Sequence, residues 1–369
     1  MSVIDTGGTI FAKRISEMVD RGHAQASQLV ERLQADTIAD SIGRVGPGRA
    51  DQRVSVAVTD RGDMALGVGE RRERLHPHAA VQLAERLDLP GAWARDWSLA
   101  GQPWQRIAMA DLLAASLTNT TKRERVLLRS VAGQVRAVMS DSYRRLDSPA
   151  ILRAFGDAAS GVGAVPVAAS VSDLRWSVDW MIPRPLGLDL GPHGQEWVAA
   201  GMTIANSDFG AAALSIRFRI LRLVCLNGAV AASAMREVHL GGRLPDDIAM
   251  SEETYRLDTR ATASAVGDLV RGLLSTEGVR RRFVEAQAAA STTEAPEVIE
   301  GMVKARRLSA NEAKSLGETF ARSDIAQIPA GPLTRWKLAQ GISWLAHSAQ
   351  GERASELEAL AGSLVFAAK

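Results

Sequence analysis

ERVLLRSVAGQVRAVMSDSYRRLDSPA, residues 124–150, is the stretch whose reading decides the fold. Val126, Leu127 and Leu128 lead to Gly133, and Val135, Ala137 and Val138 follow it. Two short β-rich runs around a glycine turn predict a pair of strands. Ser148 and Pro149 then open a helix. Asp147 or Ser148 has the side chain to cap it, and proline is tolerated in a first helical turn. Strands feeding directly into a helix point to an α+β chain.

Working outward, Val54, Val56 and Val58 alternate with small or polar residues. Asp60 to Asp63 reads as a turn and Met64 to Val68 as a returning strand, a second hairpin. His78 to Leu87 has helical spacing. Val165 to Val171, Leu174 to Ile182, Trp197 to Ala205 and Ala212 to Leu226 are further strand candidates. Beyond Pro245 the pattern turns helical over Ser251–Leu274, Arg280–Ala289, Pro296–Ala305, Ala310–Ala321, Leu333–Ala346 and Glu352–Phe366. Ser309 and Glu312 have the spacing of a capping box. The first 50 residues offer an amphipathic helix over Ile15–Ile38 and a turn-rich break at Gly43–Gly48, and otherwise read as loosely ordered. The expected organisation is a loosely ordered segment (1–50), an α+β core of antiparallel hairpins with helices packed on one face (51–245), and a helical C-terminal region (246–369).

The 369 residues are 46% hydrophobic and 23% charged, with a net charge of +2. That is ordinary globular usage, and the charge balance does not announce a nucleic-acid binder. Cys225 is the single cysteine, so no internal disulfide forms. It lies in an apolar run and reads as buried. No run approaches the roughly 18 apolar residues of a membrane span. The opening residues lack a secretory pattern, so a cytoplasmic setting is expected.

Familiar catalytic signatures are weak. Asp5-Thr6-Gly7-Gly8-Thr9 resembles the nucleophile loop of bacterial asparaginases, in which a threonine hydroxyl attacks an amide. Only Ser2, Val3 and Ile4 precede it where a supporting strand is needed, and a flexible turn is the preferred reading. His76 and His78 are two apart, the wrong spacing for a helical zinc pair, and read as a helix start. Gly161-Val162-Gly163 lacks the third glycine of a dinucleotide fingerprint. No catalytic residue, metal or cofactor is expected.

The stronger signals are basic. Residues 121–147 hold seven basic side chains against three acidic, and residues 214–243 hold five against one. Arg217 and Arg219 flank Phe218 on an expected strand, so they share a face at roughly 6.5–7 Å spacing, close to the phosphate repeat of an extended single strand. Arg222 breaks that phase and suggests a bulge. The competing reading is a solvated sheet face. Trp176 and Trp180 share a face if their strand is regular, and Trp93, Trp97 and Trp104 sit in a loop-like segment. Stacking on bases and burial are both open to them.

The segment from Arg136 to Asp147, RAVMSDSYRRLD, resembles a motif of the phage- and plasmid-borne domain-of-unknown-function family 932. Asn206-Ser-Asp-Phe-Gly210 with Arg222-Leu-Val-Cys-Leu-Asn-Gly228 resembles that family's second block. Leu333–Leu338 and Glu352–Gly362 resemble its C-terminal segment. The resemblance implies mobile-element biology. Hairpins followed by a helix, with arginines on the sheet, are also similar to Rad-fifty-two-like single-strand annealing proteins, which form rings and use no nucleotide. That step is analogy of fold.

The expectation is a nucleotide-independent, homo-oligomeric single-stranded DNA binding and annealing protein of a phage or plasmid. Arg129, Arg136, Arg144, Arg145, Arg217, Arg219 and Arg222 would line one groove. A structural or host-interaction protein is the alternative. Its arginines would pair with an acidic partner or with the chain's own acidic helices, whose carboxylates include Glu252, Glu253, Glu294, Glu297 and Glu300. An amidase using Thr6 or Thr9 is a third possibility.

Overall fold

The computed structural model describes residues 4–99, 102–189, 195–222, 231–237, 250–294, 297–321, 332–349 and 352–366. Two six-stranded sheets organise the chain. The first contains β1 (Ala39–Val45), β2 (Val54–Val58), β3 (Met64–Val68), β4 (Arg71–Leu75), β5 (Glu124–Val131) and β6 (Gln134–Ser140), in the order β1-β5-β6-β4-β3-β2. Its pairings are antiparallel except β4 with β6. A lone bridge from Arg44 to Arg53 draws the two outer strands together, which helps hide edges that would otherwise invite foreign strands. One face buries Val54, Val56, Leu66, Val126, Leu128 and Val138 beneath α2 (Pro77–Arg86), α3 (Gly91–Leu99) and α4 (Pro103–Asn119).

Local chemistry explains these elements. Ala132 and Gly133 between β5 and β6 have φ of 48° and 75°. Positive φ at both central residues is the two-residue turn that matches strand twist, and glycine adopts it without a Cβ penalty. His76 caps α2: its Nδ1 accepts from the His78 N–H at 3.1 Å, with Pro77 in the first turn. Burial lowers the pKa of both imidazoles. In β6, Ala137 lies opposite Arg129 and Val135 opposite Ser130, so Arg136 is the extra residue of a bulge. A bulge re-aims a side chain.

The second sheet holds β7 (Val165–Val171), β8 (Trp176–Met181), β9 (Leu186–Asp189), β10 (Gln195–Asn206), β11 (Leu214–Arg222) and β12 (Ala231–Glu237). Its order is β12-β11-β10-β8-β7, with β9 also on β10. Trp176, Val178, Ile204, Ile216, Phe218 and Ile220 pack on α5 (Ser148–Gly161) and the C-terminal helices. Those helices are α6 (Glu252–Leu273), α7 (Thr276–Ser291), α8 (Glu297–Lys304), α9 (Ala310–Ala321), α10 (Arg335–Ser348) and α11 (Glu352–Val365). The other face carries α1 (Ile4–Ala35), whose Ile15 and Met18 meet Val167, Met181, Ala199 and Leu221. The Ala169 N–H of edge strand β7 donates to Gln25 Oε1 at 3.0 Å. No helix among the described residues is long and apolar enough to cross a membrane.

The α+β class and the C-terminal helices agree with the sequence reading. The Ser309–Glu312 box is present and reciprocal: the Ser309 N–H donates to Glu312 Oε2 at 2.7 Å, and the Glu312 N–H to Ser309 Oγ at 3.2 Å. Several details differ. The second sheet carries helices on both faces. Residues 5–9 lie within α1 instead of a flexible turn. Trp93, Trp97 and Trp104 lie on α3 and α4, with a tilted contact of 5.1 Å between the first two rings and an edge-on contact of 5.5 Å between the last two. Strands β1, β4, β9 and β12 were not expected, and the described part of residues 1–50 is not a loosely ordered segment: α1 packs on the second sheet and β1 pairs β5 in the first, so the α+β core begins well before residue 51. The bulge sought near Arg222 falls elsewhere: β10 and β11 stay in register through Arg222, and the irregularity lies on the β12 side, between Ile216 and Arg217. Cys225, Asn227, Gly228 and the boundary near 244–250 lie outside the described residues, except for Met250.

Candidate ligand cleft

The two sheets meet where the chain leaves β6 and where it turns from β10 to β11. Those are the two motif blocks, Arg136–Asp147 and Asn206–Gly210. Tyr143 O–H donates to the Ser207 carbonyl at 3.1 Å, and Ser207 Oγ donates to the Leu174 carbonyl at 2.6 Å. Asn206 Nδ2 donates to Ser148 Oγ at 3.1 Å, as does Trp176 Nε1 at 2.7 Å. The Ser148 N–H donates to Asp208 Oδ1 at 3.3 Å. From α2, Gln82 Nε2 donates to the Phe209 carbonyl at 3.2 Å, and His78 Nε2 lies 3.0 Å from the same oxygen. The motifs that looked like family signatures therefore form a buried polar joint. Each member is hydrogen-bonded, as burial demands.

Beside this joint is a cleft of about 680 Å³. Its walls come from the end of α1 and the start of β1 (Asp36, Asp40), the first sheet (Arg129, Arg136), the β7–β8 turn (Asp173, Arg175), and the N-termini of α5 (Ser148, Arg153) and α6 (Glu252, Tyr255). Arg129 Nε donates to Asp40 Oδ1 at 2.9 Å. Burial works against the Arg129 charge, but Asp40 and Asp208 outweigh it and raise the pKa. Burial pushes the carboxyls of Asp208 and Asp147 upward, with Arg129 opposing the shift in both. Burial also raises Tyr143.

The predicted arginines do not assemble into one track. Arg129, Arg136 and Arg145 line the cleft, and Arg144 stands beside it. Arg136 Nη1 donates to Asp36 at 2.8 Å and to the Asp173 carbonyl at 3.1 Å, with the guanidinium 5.5 Å from the Phe209 ring centre. Arg145 reaches Asp40 and Glu252, each at 3.3 Å, and lies 4.1 Å over the Tyr255 ring. Arg144 grips Asp258 of α6 with two bonds of 3.0 and 2.8 Å. Arg217 and Arg219 are on the other sheet and share Glu358 of α11, at 3.9 and 3.3 Å. Arg219 also meets Asp179 at 2.8 Å. Its burial opposes the charge, and Asp179 and Glu358 raise its pKa regardless. The side chain of Arg222 lies outside the described residues. The six described arginines are thus held by the protein's own carboxylates.

The tryptophans on β8 share a face, as expected, and that face is core: Trp176 is buried and Trp180 packs edge-on to Phe155 at 6.0 Å. Sequence reasoning missed Asp36, Asp40, Asp173 and Asp208, the partners of the arginines. It also missed Arg153 and Arg175, which are exposed, line the cleft and have no ion pair among the described residues. Arg153 stands in the second turn of α5, near the positive end of its dipole. The fold and this cleft define an α+β protein with a polar seam between two sheets. No family model matches the chain, and no significant match is found among curated proteins or solved structures.

Proposed function

We propose that the chain acts by binding rather than by covalent chemistry, and that its ligand enters the seam cleft. The observation that carries this reading is a division of labour among cations. Arg129, Arg136, Arg145 and Arg256 line the cleft already tied to carboxylates, whereas Arg153 and Arg175 line it exposed and uncommitted. The volume suits one small polar unit, within the roughly 300–1,000 Å³ usual for ligand sites. The resemblance to family 932 supports a phage or plasmid setting, and the fold analogy with Rad-fifty-two-like annealing proteins supports single-stranded DNA as the ligand, handled by an oligomer in the host cytoplasm. On this reading a strand meets the protein through one or two nucleotides at the cleft, not along β11.

The test is a fluorescence titration with labelled oligonucleotides of about three and about thirty nucleotides. Two phosphate contacts give a log–log salt slope of about −1.4 for single strands, and both lengths bind each cleft alike. An Arg153→Ala/Arg175→Ala protein loses the affinity, and Arg217→Ala/Arg219→Ala keeps it. The reverse pattern, or a slope several times steeper, would restore an extended track and sink the cleft.

A second reading has its own support. Arg144, Arg145, Arg217 and Arg219 clamp the C-terminal helices through Asp258, Glu252 and Glu358. That is the internal pairing expected of a structural or host-interaction protein. It predicts assembly without nucleic acid and no measurable oligonucleotide affinity in the same titration.

A further inference from the structure

We propose that the seam cleft is a phosphate-monoester site, so that the group it takes is a terminal phosphate, on a free nucleotide or on the end of a strand. The inference rests on the cleft being a binding site. Two features favour an anion. Arg153 and Arg175 bring two exposed guanidiniums without carboxylate partners. The start of the 14-residue helix α5 borders the cleft but offers no free amide, because the Ser148 N–H donates to Asp208 Oδ1, Pro149 has none and the Ala150 N–H donates to the Asp147 carbonyl. Buried Arg136, only 5% exposed, lines the same cleft with its Nε lacking any hydrogen-bond partner. A buried donor left without an acceptor is unfavourable, so an acceptor placed there is favoured.

A monoester fits better than a passing diester on two grounds. It carries about −1.5 to −2 charges at neutral pH, which matches two free guanidiniums. In addition, buried Arg129 and Asp208 belong to the cleft lining, so the walls include groups closed off from solvent, against which a chain end fits better than a through-running strand. Seven carboxylates also line the cleft: Asp36, Asp40, Asp173, Glu252 and Glu253 are paired with arginines, burial raises Asp208, and Asp147, with no ion pair among the described residues, opposes the anion. Asp147 is the N-cap residue of α5 and lines the cleft, but its side chain makes no capping bond. It therefore contributes a repulsion that its amide analogue would lack.

The experiment uses the full chain and titrates inorganic phosphate, thymidine 5′-monophosphate, and a short oligonucleotide with and without a 5′-phosphate. The expected result is at least about tenfold tighter binding of the phosphorylated oligonucleotide, as for added charge-assisted hydrogen bonds. Thymidine monophosphate and phosphate compete with it. Arg153→Ala/Arg175→Ala erases the difference without shifting the melting temperature, Arg153→Lys/Arg175→Lys keeps part of it, and Asp147→Asn widens it. Equal affinity for both oligonucleotides, still lost in Arg153→Ala/Arg175→Ala, overturns the monoester site and leaves the binding role standing. Binding of phosphate and the mononucleotide alone supports the site with a free nucleotide as source and removes the strand. No binding of any probe overturns both.

Discussion

Arg129 on β5 donates from Nη1 to the main-chain carbonyl of Asp208, 2.9 Å away, while its Nε holds Asp40 at the same distance. One buried guanidinium thus ties β1, β5 and the β10–β11 turn, and so links the two sheets. Removing one partner of such a buried pair typically costs about 3–5 kcal/mol, because the other charge is left unanswered. Arg129→Met is therefore expected to destabilise the chain by that order, measured by chemical denaturation. A change within experimental error would show that the seam does not depend on this residue.

A different joint holds α1 to β7. A Cβ placed on Gly22 would lie 2.3 Å from the Pro166 carbonyl oxygen and from Val167 Cα, all backbone that cannot swing aside. Glycine is otherwise a poor choice inside a 32-residue helix. Gly22→Ala should thus lose stability, by roughly 1–3 kcal/mol as in other overpacked contacts, despite alanine's better helix propensity. Thermal melting distinguishes the two effects by sign, and a stabilised variant would mean that α1 does not seat this closely.

What was legible in the sequence was local. The β2–β3 and β5–β6 hairpins, the His76 cap and the Ser309–Glu312 box depend on residues a few positions apart, and period and turn chemistry find them. The arginine partners depend on the whole fold: Arg136 meets Asp36 across 100 positions, Arg144 meets Asp258 across 114, and Arg219 meets Glu358 across 139. No local pattern names such a partner. A usable signal did exist. Arg129 interrupts the apolar run Val-Leu-Leu-Arg-Ser-Val, and Arg136 sits within Val-Arg-Ala-Val-Met. A cation inside an apolar run must be buried, and a buried cation must be paired. Positive charge along a strand therefore pointed to an internal clamp as much as to a polyanion, and Arg153 and Arg175, alone in their segments, drew no notice.

The capping box makes a prediction on the acid side. Hydrogen bonds from Arg353 hold the Glu312 carboxyl down at about 2, with the Ser309 bonds assisting and burial opposing. A depressed carboxyl stabilises the fold above its unfolded value of about 4.3, and that contribution is lost as pH falls toward 2. Glu312→Gln should flatten this acid limb of the melting curve. Ser309→Ala should cost about 1 kcal/mol at neutral pH through the lost cap. An unchanged acid limb in Glu312→Gln would assign the loss to other carboxylates.

Asp208 has the opposite sign. Burial raises its folded pKa, and Arg129 and the Ser148 hydrogen bonds only partly offset the shift. Between the unfolded value of about 3.9 and the raised folded value, the native state binds more proton than the unfolded chain, so stability falls as pH rises through that window. Asp147, raised for the same first reason, adds to the trend. Asp208→Asn keeps the side-chain oxygen that accepts from the Ser148 N–H and removes the titrating charge. Its melting temperature should therefore decline less than the parent's from pH 4 upward. Parallel curves for the two proteins would mean that Asp208 ionises in the folded state as readily as in the unfolded chain, its burial being fully offset by Arg129.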